Sequence, residues 1–298
     1  MSFYSVSDFY KNVFSQKVYK ISLDGGCTCP NRDGSKAFGG CIFCSDEGSG
    51  DFQSKNKTSI KAQIENAKKI VEKKFAKDSS KKYIAYFQNH TNTYGNVDKI
   101  IANWKEALNE KDIVGLAIAT RPDCLCSKIV YELNELSKKY FVQLEFGLQS
   151  KSDKTADFIN RCYKTYEYEN AMKMIKKECP KVHIVTHIIF GLPFEDKMMM
   201  IESINFALKC GTDGLKITVL YVLKGTKLEV LYNEKKFETL SMNEYLELIK
   251  EALSIIPKNI VIHRLTGDPP KKSVVAPLWT CDKKRVLSQI NMLKNDER

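Results

Sequence analysis

Cys29, Cys41 and Cys44 are the residues whose types and spacing most directly imply chemistry. Cys41 lies twelve positions after Cys29, and Ile42-Phe43 separates it from Cys44. The three follow an apolar run, Val18-Tyr19-Lys20-Ile21-Ser22-Leu23, that reads as a strand. Three thiolates on one loop cannot close a four-coordinate zinc site. They can hold three irons of a [4Fe–4S] cluster and leave the fourth open to a ligand. Cys27 lies in the same loop, so Cys27, Cys29, Cys41 and Cys44 could instead make a four-cysteine zinc site. Cys27-Thr28-Cys29 is cramped for a zinc knuckle, which usually spaces its pair by about two to four residues.

The elements that must position these cysteines are legible from periodicity. After the first run, β-branched apolar stretches recur at 83–87, 114–119, 141–146, 182–190, 215–221 and 260–263. Between them lie amphipathic stretches at helical spacing, clearest at 59–75, 97–108, 128–136, 167–177, 197–209 and 242–256. This alternation predicts an α/β fold around a parallel sheet. The glycine fingerprint of a dinucleotide-binding fold is missing after the first strand. Polar and glycine-rich clusters instead follow one strand after another, at 88–93, 120–123, 147–150, 191–195 and 266–268. That is the pattern of a TIM-like barrel whose active site gathers at the carboxyl ends of its strands. About six strand–helix units fit, so a partial, open (β/α)6 barrel is expected over residues 1–240, with the cluster loop at 27–44. Residues 241–298 are expected to form a helical and strand extension packed on the barrel.

With 298 residues, 43% of them apolar, the chain can bury a large core as one domain or one domain with an extension. Met1-Ser2-Phe3-Tyr4-Ser5 lacks the basic segment and apolar core of a signal peptide. No stretch approaches the roughly 18 apolar residues of a membrane span. A cytoplasmic protein with no membrane partner is expected. Ten cysteines then argue for metal or redox chemistry over a disulfide framework. Cys124, Cys126, Cys162, Cys179, Cys210 and Cys281 are scattered and read mostly as small buried hydrophobes. The net charge of +11 attracts polyanions, although a solvated lysine-rich surface explains it equally well.

Several segments resemble a known family. Cys41-Ile42-Phe43-Cys44 is similar to the second half of the radical SAM signature, in which an aromatic residue precedes the last cysteine. The wide first gap resembles the Elongator catalytic-subunit branch. Closer still is the bacterial YtqA/YhcC (MnmL-like) family, matched at Thr28-Cys29-Pro30-Asn31-Arg32-Asp33-Gly34, then at Gly40-Cys41 and Phe43-Cys44. The likeness continues through Gln88, Thr91-Asn92-Thr93-Tyr94, Thr120-Arg121-Pro122-Asp123-Cys124, Glu145-Phe146-Gly147-Leu148-Gln149-Ser150 and Asn160-Arg161. It resumes at Gly191-Leu192-Pro193, Lys224-Gly225-Thr226, His263-Arg264-Leu265-Thr266-Gly267 and Pro277-Leu278-Trp279.

The resemblance implies a radical SAM barrel with a [4Fe–4S] cluster on Cys29, Cys41 and Cys44, Cys27 being a bystander. S-adenosyl-L-methionine would chelate the open iron and be cleaved to a 5′-deoxyadenosyl radical that abstracts hydrogen from substrate. Further cofactor contacts are implied: Phe43 on adenine, Gln88 near the methionine amino group, Glu145 on the ribose or amino group, Gln149 on the ribose. Arg161 would pair with the methionine carboxylate in a fork geometry that lysine does not reproduce. Gly191-Leu192-Pro193 resembles an adenine-contacting segment, but Phe194 stands where some relatives carry an acid. On the substrate side, Arg121 could grip a carboxylate or phosphate, and Asp123 could cap the next helix. Lys216, Tyr221, His263 and Arg264 lie late in the barrel or beyond it, where substrate enters. His90 is more often polar surface than an acid–base group, and Cys124 and Cys126 are more often buried structural cysteines than hydrogen donors.

The implied activity is tRNA modification, converting a carboxymethylaminomethyl group on the wobble uridine to aminomethyl. Implied partners are tRNA, a reducing electron donor such as flavodoxin or ferredoxin, and a downstream methyltransferase. The alternatives are a radical SAM enzyme acting on a small-molecule carboxylate, and a non-catalytic, zinc-stabilised RNA-binding protein.

Overall fold

In the computed structural model, which describes residues 3–46, 48, 58–75 and 80–292, strand and helix alternate as the periodicity predicts. Met1-Ser2 and the last stretch of the expected extension, 293–298, lie outside the described residues. The chain opens with β1 (Tyr4–Ser5) and α1 (Val6–Phe14), which the pattern of apolar runs did not signal. The repeating part follows: β2 (Val18–Leu23), α2 (Ile60–Glu72), β3 (Lys82–Phe87), α3 (Val97–Asn109), β4 (Ile113–Thr120), α4 (Ser127–Ser137) and β5 (Phe141–Gln149). It continues with α5 (Asp153–Phe158), α6 (Thr165–Glu178), β6 (His183–Phe190), α7 (Lys197–Lys209) and β7 (Gly214–Val219). Beyond lie β8 (Val222–Leu223), α8 (Lys227–Asn233), α9 (Met242–Ile255), β9 (Val261–Arg264), β10 (Val274–Ala276), a 3₁₀ turn (Leu278–Cys281) and α10 (Lys283–Met292).

One parallel sheet of eight strands runs in the order β1-β9-β7-β6-β5-β4-β3-β2 and curls into an open half-barrel. Strands β2 to β7 are the six expected units. β9, from the expected extension, adds to β7 as a seventh strand, and β1 pairs outside it as an eighth. The Leu240 seam falls between α8 and α9, while β10 pairs antiparallel with β8. Among the described residues, no helix is long and apolar enough to cross a membrane.

The two faces of the sheet differ, as a period of two requires. On β5, Val142, Leu144, Phe146 and Leu148 join the main core beneath the helices. Gln143, Glu145, Gly147 and Gln149 alternate with them and face the barrel interior. A parallel strand covered on both faces by apolar packing reads as a continuous hydrophobic run. The alternation in Phe-Val-Gln-Leu-Glu-Phe-Gly-Leu-Gln therefore marks the interior as something other than packed core.

Helix α1 closes one end of that interior. Its N-cap Ser5 accepts a hydrogen bond from the Asp8 amide, and its apolar side packs inward. Tyr10 packs with Val18, Ile84, Tyr86 and Ala117, and its hydroxyl donates to Gln143 Oε1 at 3.1 Å. The Phe9 ring stacks on His183 with centroids 4.5 Å apart. Phe141 and His183 are the first residues of their strands, so α1 plugs the amino-terminal end and leaves the carboxyl-terminal end for chemistry.

Candidate active site

The long β2–α2 connection carries the cysteines, and Asn31 is its main anchor. This side chain is fully buried, and its Nδ2 donates to the Asn160 carbonyl at 2.5 Å and the Arg161 carbonyl at 3.1 Å. The same nitrogen lies 3.6 Å from Cys41 Sγ. Ile42 pins the other limb. Its amide donates to the Ile159 carbonyl, its carbonyl accepts from the Leu228 amide, and its side chain is buried with Leu192, Leu220 and Val222. Just past Ile42, Phe43 packs on the same apolar cluster and the Cys44 amide turns back to donate to the Cys41 carbonyl.

Arg121, at the end of β4, locks this loop to the barrel. Its Nη1 donates to Asn31 Oδ1 and to the Arg161 carbonyl, both at 2.8 Å, while Nε and Nη2 grip both oxygens of Asp123. Burial alone would raise the Asp123 carboxyl, but Arg121 and Lys36 beside it hold it below the usual carboxylate range. Tyr163 lies between two guanidiniums, 4.9 Å from Arg121 and 4.2 Å from Arg161. Arg161 is 1% exposed and donates to the carbonyls of Leu148, Ser150 and Tyr163 and to Thr165.

Together these elements enclose a cavity of about 160 Å³. Cys29, Cys41, Cys44 and Phe43 line it at the loop, with His90, Arg121, Gln149, Arg161 and Tyr163 around it and Glu145, His187 and Lys216 deeper in the barrel. The Cys44 thiol, by hydrogen bonding to Cys41, lowers the Cys41 pKa against the effect of burial, with help from Arg121 and Asn31. Deeper in, Lys216 Nζ lies 2.5 Å from Glu145 Oε1, and the Tyr86 hydroxyl donates to both Glu145 oxygens at 3.0 and 3.1 Å. Burial opposes ionisation of Glu145, but Lys216, Lys20 and His187 outweigh it and bring its pKa down to about 2. His187 is driven down to about 3, by burial first and then by Lys216, so it is neutral at pH 7 and shares a hydrogen bond with Thr218.

The cavity thus brings together Cys29, Cys41, Cys44, Phe43, Arg121, Glu145, Gln149, Arg161 and Lys216. Other expected site residues stand elsewhere. Gln88 accepts from Ser22 Oγ at 3.0 Å and does not line the cavity. His263 shares a 2.9 Å hydrogen bond with His183 beneath Phe9, at the plugged end, because its ring lies over Gly214, which has no side chain to keep it from reaching β6. Arg264 is the register partner of Lys216 and sits behind the cavity wall. Asp123 does not cap α4: the cap is Cys126, which makes no side-chain capping bond, and the carboxylate is occupied by Arg121 and Lys36. Of the six scattered cysteines only Cys179 is buried, and Cys126 is exposed, because they fall on loops and helix ends instead of apolar faces. Asn31, Tyr163, His187 and Tyr86 are site residues that sequence reasoning assigned no role. Asn31 lies inside the Cys-Pro-Asn-Arg segment, and that was the one available signal.

The donor set distinguishes a cluster from a single ion. Zinc needs four donors converging on one point. Among the described residues, no group of three His, Cys, Asp or Glu converges to hold one ion. Cys27 packs against the main core, and its thiol is pushed up to about 11 by burial, then by Asp24. A cubane places each thiolate on a different iron, so three thiols spaced around one cavity beside cationic neighbours fit it.

Comparisons with known proteins agree. The model of the Radical SAM superfamily matches residues 29–207, and that of the Radical_SAM C-terminal domain matches 212–294. The chain is 40% identical to YtqA of Bacillus subtilis (strain 168), over 93% of this chain and 85% of that protein. It is 31% identical to YhcC of Escherichia coli (strain K12), over 89% and 84%. The tRNA uridine(34) acetyltransferase of Methanocaldococcus jannaschii is 28% identical over 56% of this chain but 30% of its own length. Among solved structures, Elp3 of Methanocaldococcus infernus with an N-terminal deletion shares the fold, with a TM-score of 0.68 at 18% identity. That match covers 94% of this chain and 64% of the Elp3 chain. The cysteine loop, the half-barrel and these matches lead to one assignment: the chain belongs to the radical SAM superfamily, whose cofactors are a [4Fe–4S] cluster and S-adenosyl-L-methionine.

Proposed function

We propose that Cys29, Cys41 and Cys44 hold three irons of the cluster and that the enzyme remodels the wobble uridine of tRNA, converting carboxymethylaminomethyl to aminomethyl. The N–CH2 carbon of the carboxymethyl group would lose two electrons to S-adenosyl-L-methionine, and water would then split the C–N bond, so that the two carbons leave as an oxo acid. When bound, the cluster and S-adenosyl-L-methionine supply a 5′-deoxyadenosyl radical able to take hydrogen from an unactivated carbon. The protein's part is to bind, orient and exclude water. Phe43, fixed by the buried Ile42, offers its ring to the adenine. Asn31 and Arg121 direct N–H groups and positive charge toward the sulfurs and hold the loop in place. Arg161 acts as a positioning residue, clamping the turn after β5 so that Gln149 faces the cavity. The observation that carries this reading is a single cavity walled by three cysteines at its mouth and by the Glu145–Lys216 pair at its base.

The tRNA assignment is supported by the likeness to a tRNA uridine(34) acetyltransferase and by the net charge of +11. A reducing electron donor and a methyltransferase acting on the aminomethyl product belong to the same proposal. Binding driven by phosphate neutralisation weakens steeply with salt, so affinity for tRNA should fall by several orders of magnitude between about 50 and 200 mM salt if roughly six or more phosphates are contacted. Mass spectrometry of tRNA nucleosides from a deletion strain should show carboxymethylaminomethyluridine accumulating and aminomethyl-derived nucleosides missing. An unchanged wobble profile would rule the substrate out.

A further inference from the structure

The barrel interior carries more positive charge than it balances. Lys20 on β2 and Lys216 on β7 flank Glu145, the charge of Arg264 on β9 reaches both lysines, and all four are half-buried or buried. Among the described residues, Glu145 is the carboxylate whose charge reaches both lysines. Lys216 takes that carboxylate at 2.5 Å. Lys20 is left with its ammonium over the Tyr86 ring, 5.0 Å from the centroid. Arg264 lies beside Lys216 in register and, among the described residues, has no ion-pair partner. Burial lowers the Lys20 ammonium to about 7, and Lys216 and Arg264 push it further against the pull of Glu145. Crowding these basic groups around one anion is costly enough to drive protons off, and a second anion arriving through the cavity would relieve it and hold them charged.

We propose that Lys20, Lys216 and Arg264 form a carboxylate subsite that receives the carboxymethyl end of the substrate side chain. Lys216, which lines the cavity, makes the direct contact. Lys20 and Arg264 stand behind it and supply the charge that Glu145 leaves unbalanced. This rests on the wobble-uridine reading and deepens it. The subsite distinguishes substrate from product, because the substrate side chain is a zwitterion and the aminomethyl product, having lost the carboxylate, keeps only its ammonium. Product is therefore repelled from the pocket that held the substrate.

The test compares anticodon stem-loops carrying carboxymethylaminomethyluridine, aminomethyluridine or unmodified uridine at the wobble position, by fluorescence anisotropy on the reconstituted protein. The parent should bind the carboxylate form about tenfold or more tightly than the aminomethyl form, the scale of a charge-assisted contact. Lys20→Met and Arg264→Met should each shrink that preference to about threefold or less, while Arg264→Lys keeps most of it. Both methionine variants remove a poorly balanced, half-buried charge, so folding is not at risk, and a thermal melt checks it. S-adenosyl-L-methionine affinity, measured alongside, should stay within about twofold. Undiminished preference in both methionine variants would overturn the subsite. So would a parallel loss of S-adenosyl-L-methionine affinity, which would assign the cations to the cofactor's own carboxylate. Equal binding of the two modified stem-loops, both above unmodified uridine, would remove the subsite and leave the wobble-uridine reading standing. No preference for either over unmodified uridine would remove both.

Discussion

Replacing any one of Cys29, Cys41 or Cys44 with alanine should give colourless protein where the parent, reconstituted anaerobically with iron and sulfide, is brown. Each thiol lines the cavity, whereas Cys27 faces the core and the nearby Cys124 and Cys162 are not among the lining residues. Reductive cleavage of S-adenosyl-L-methionine should fall with the iron. The loss should exceed the roughly 10–100-fold that removal of an outer-shell partner costs a metal site. Asn31→Ala, which removes the N–H near Cys41 and unlocks the loop, should fall within that smaller range. Cys27→Ala should keep its colour and its iron. Iron analysis and the visible spectrum of the five variants and the parent decide the matter. Colour lost in Cys27→Ala and retained in Cys29→Ala would reassign the ligand set.

Arg161→Ala should destabilise the protein even without cofactors. A surface or cofactor-facing arginine can be removed cheaply, but this one is 1% exposed and satisfies three backbone carbonyls. Leaving buried acceptors unpaired costs about 1–3 kcal/mol each, and the cavity left behind adds to it. The thermal midpoint of the apo protein should therefore fall by several degrees. Lysine should rescue little, since its ammonium cannot span carbonyls arranged for a planar fork. S-adenosyl-L-methionine binding should also weaken, because Asn31 and Arg121 both lean on the Arg161 carbonyl. An unchanged apo midpoint together with lost cofactor affinity would restore the direct role that the family resemblance implies for this residue.

The contrast between Arg161 and the cysteines shows how far sequence alone reaches. Strand and helix alternation was plain because each parallel strand has one face that must be apolar under a helix, and β5 even announced its polar interior. The cysteine spacing named its chemistry because few centres use three thiolates and an open site. Arginine carries no such signal: the same side chain can face a cavity or clamp backbone, and that depends on turn geometry around Asn160 and Cys162, both at positive φ. His263 was misleading for a related reason. Its family context suggested substrate, yet its ring folds over Gly214, where no side chain stands, and meets His183 at the plugged end. That plug, α1, went unrecognised because its apolar face serves the barrel interior, a surface that exists only after the sheet has curled. Lys20 drew no attention within an apolar strand, although a lysine at an inward position of such a strand is the one sequence sign of the charged interior.

The most direct test of the function is a single-turnover reaction. The reconstituted enzyme, S-adenosyl-L-methionine and a strong reductant are mixed anaerobically with tRNA bearing carboxymethylaminomethyluridine at the wobble position. Nucleosides and small molecules are then followed by mass spectrometry. Formation of 5′-deoxyadenosine together with aminomethyluridine, both abolished by Cys44→Ala, is the predicted result. Formation of 5′-deoxyadenosine with the wobble nucleoside unchanged would contradict it.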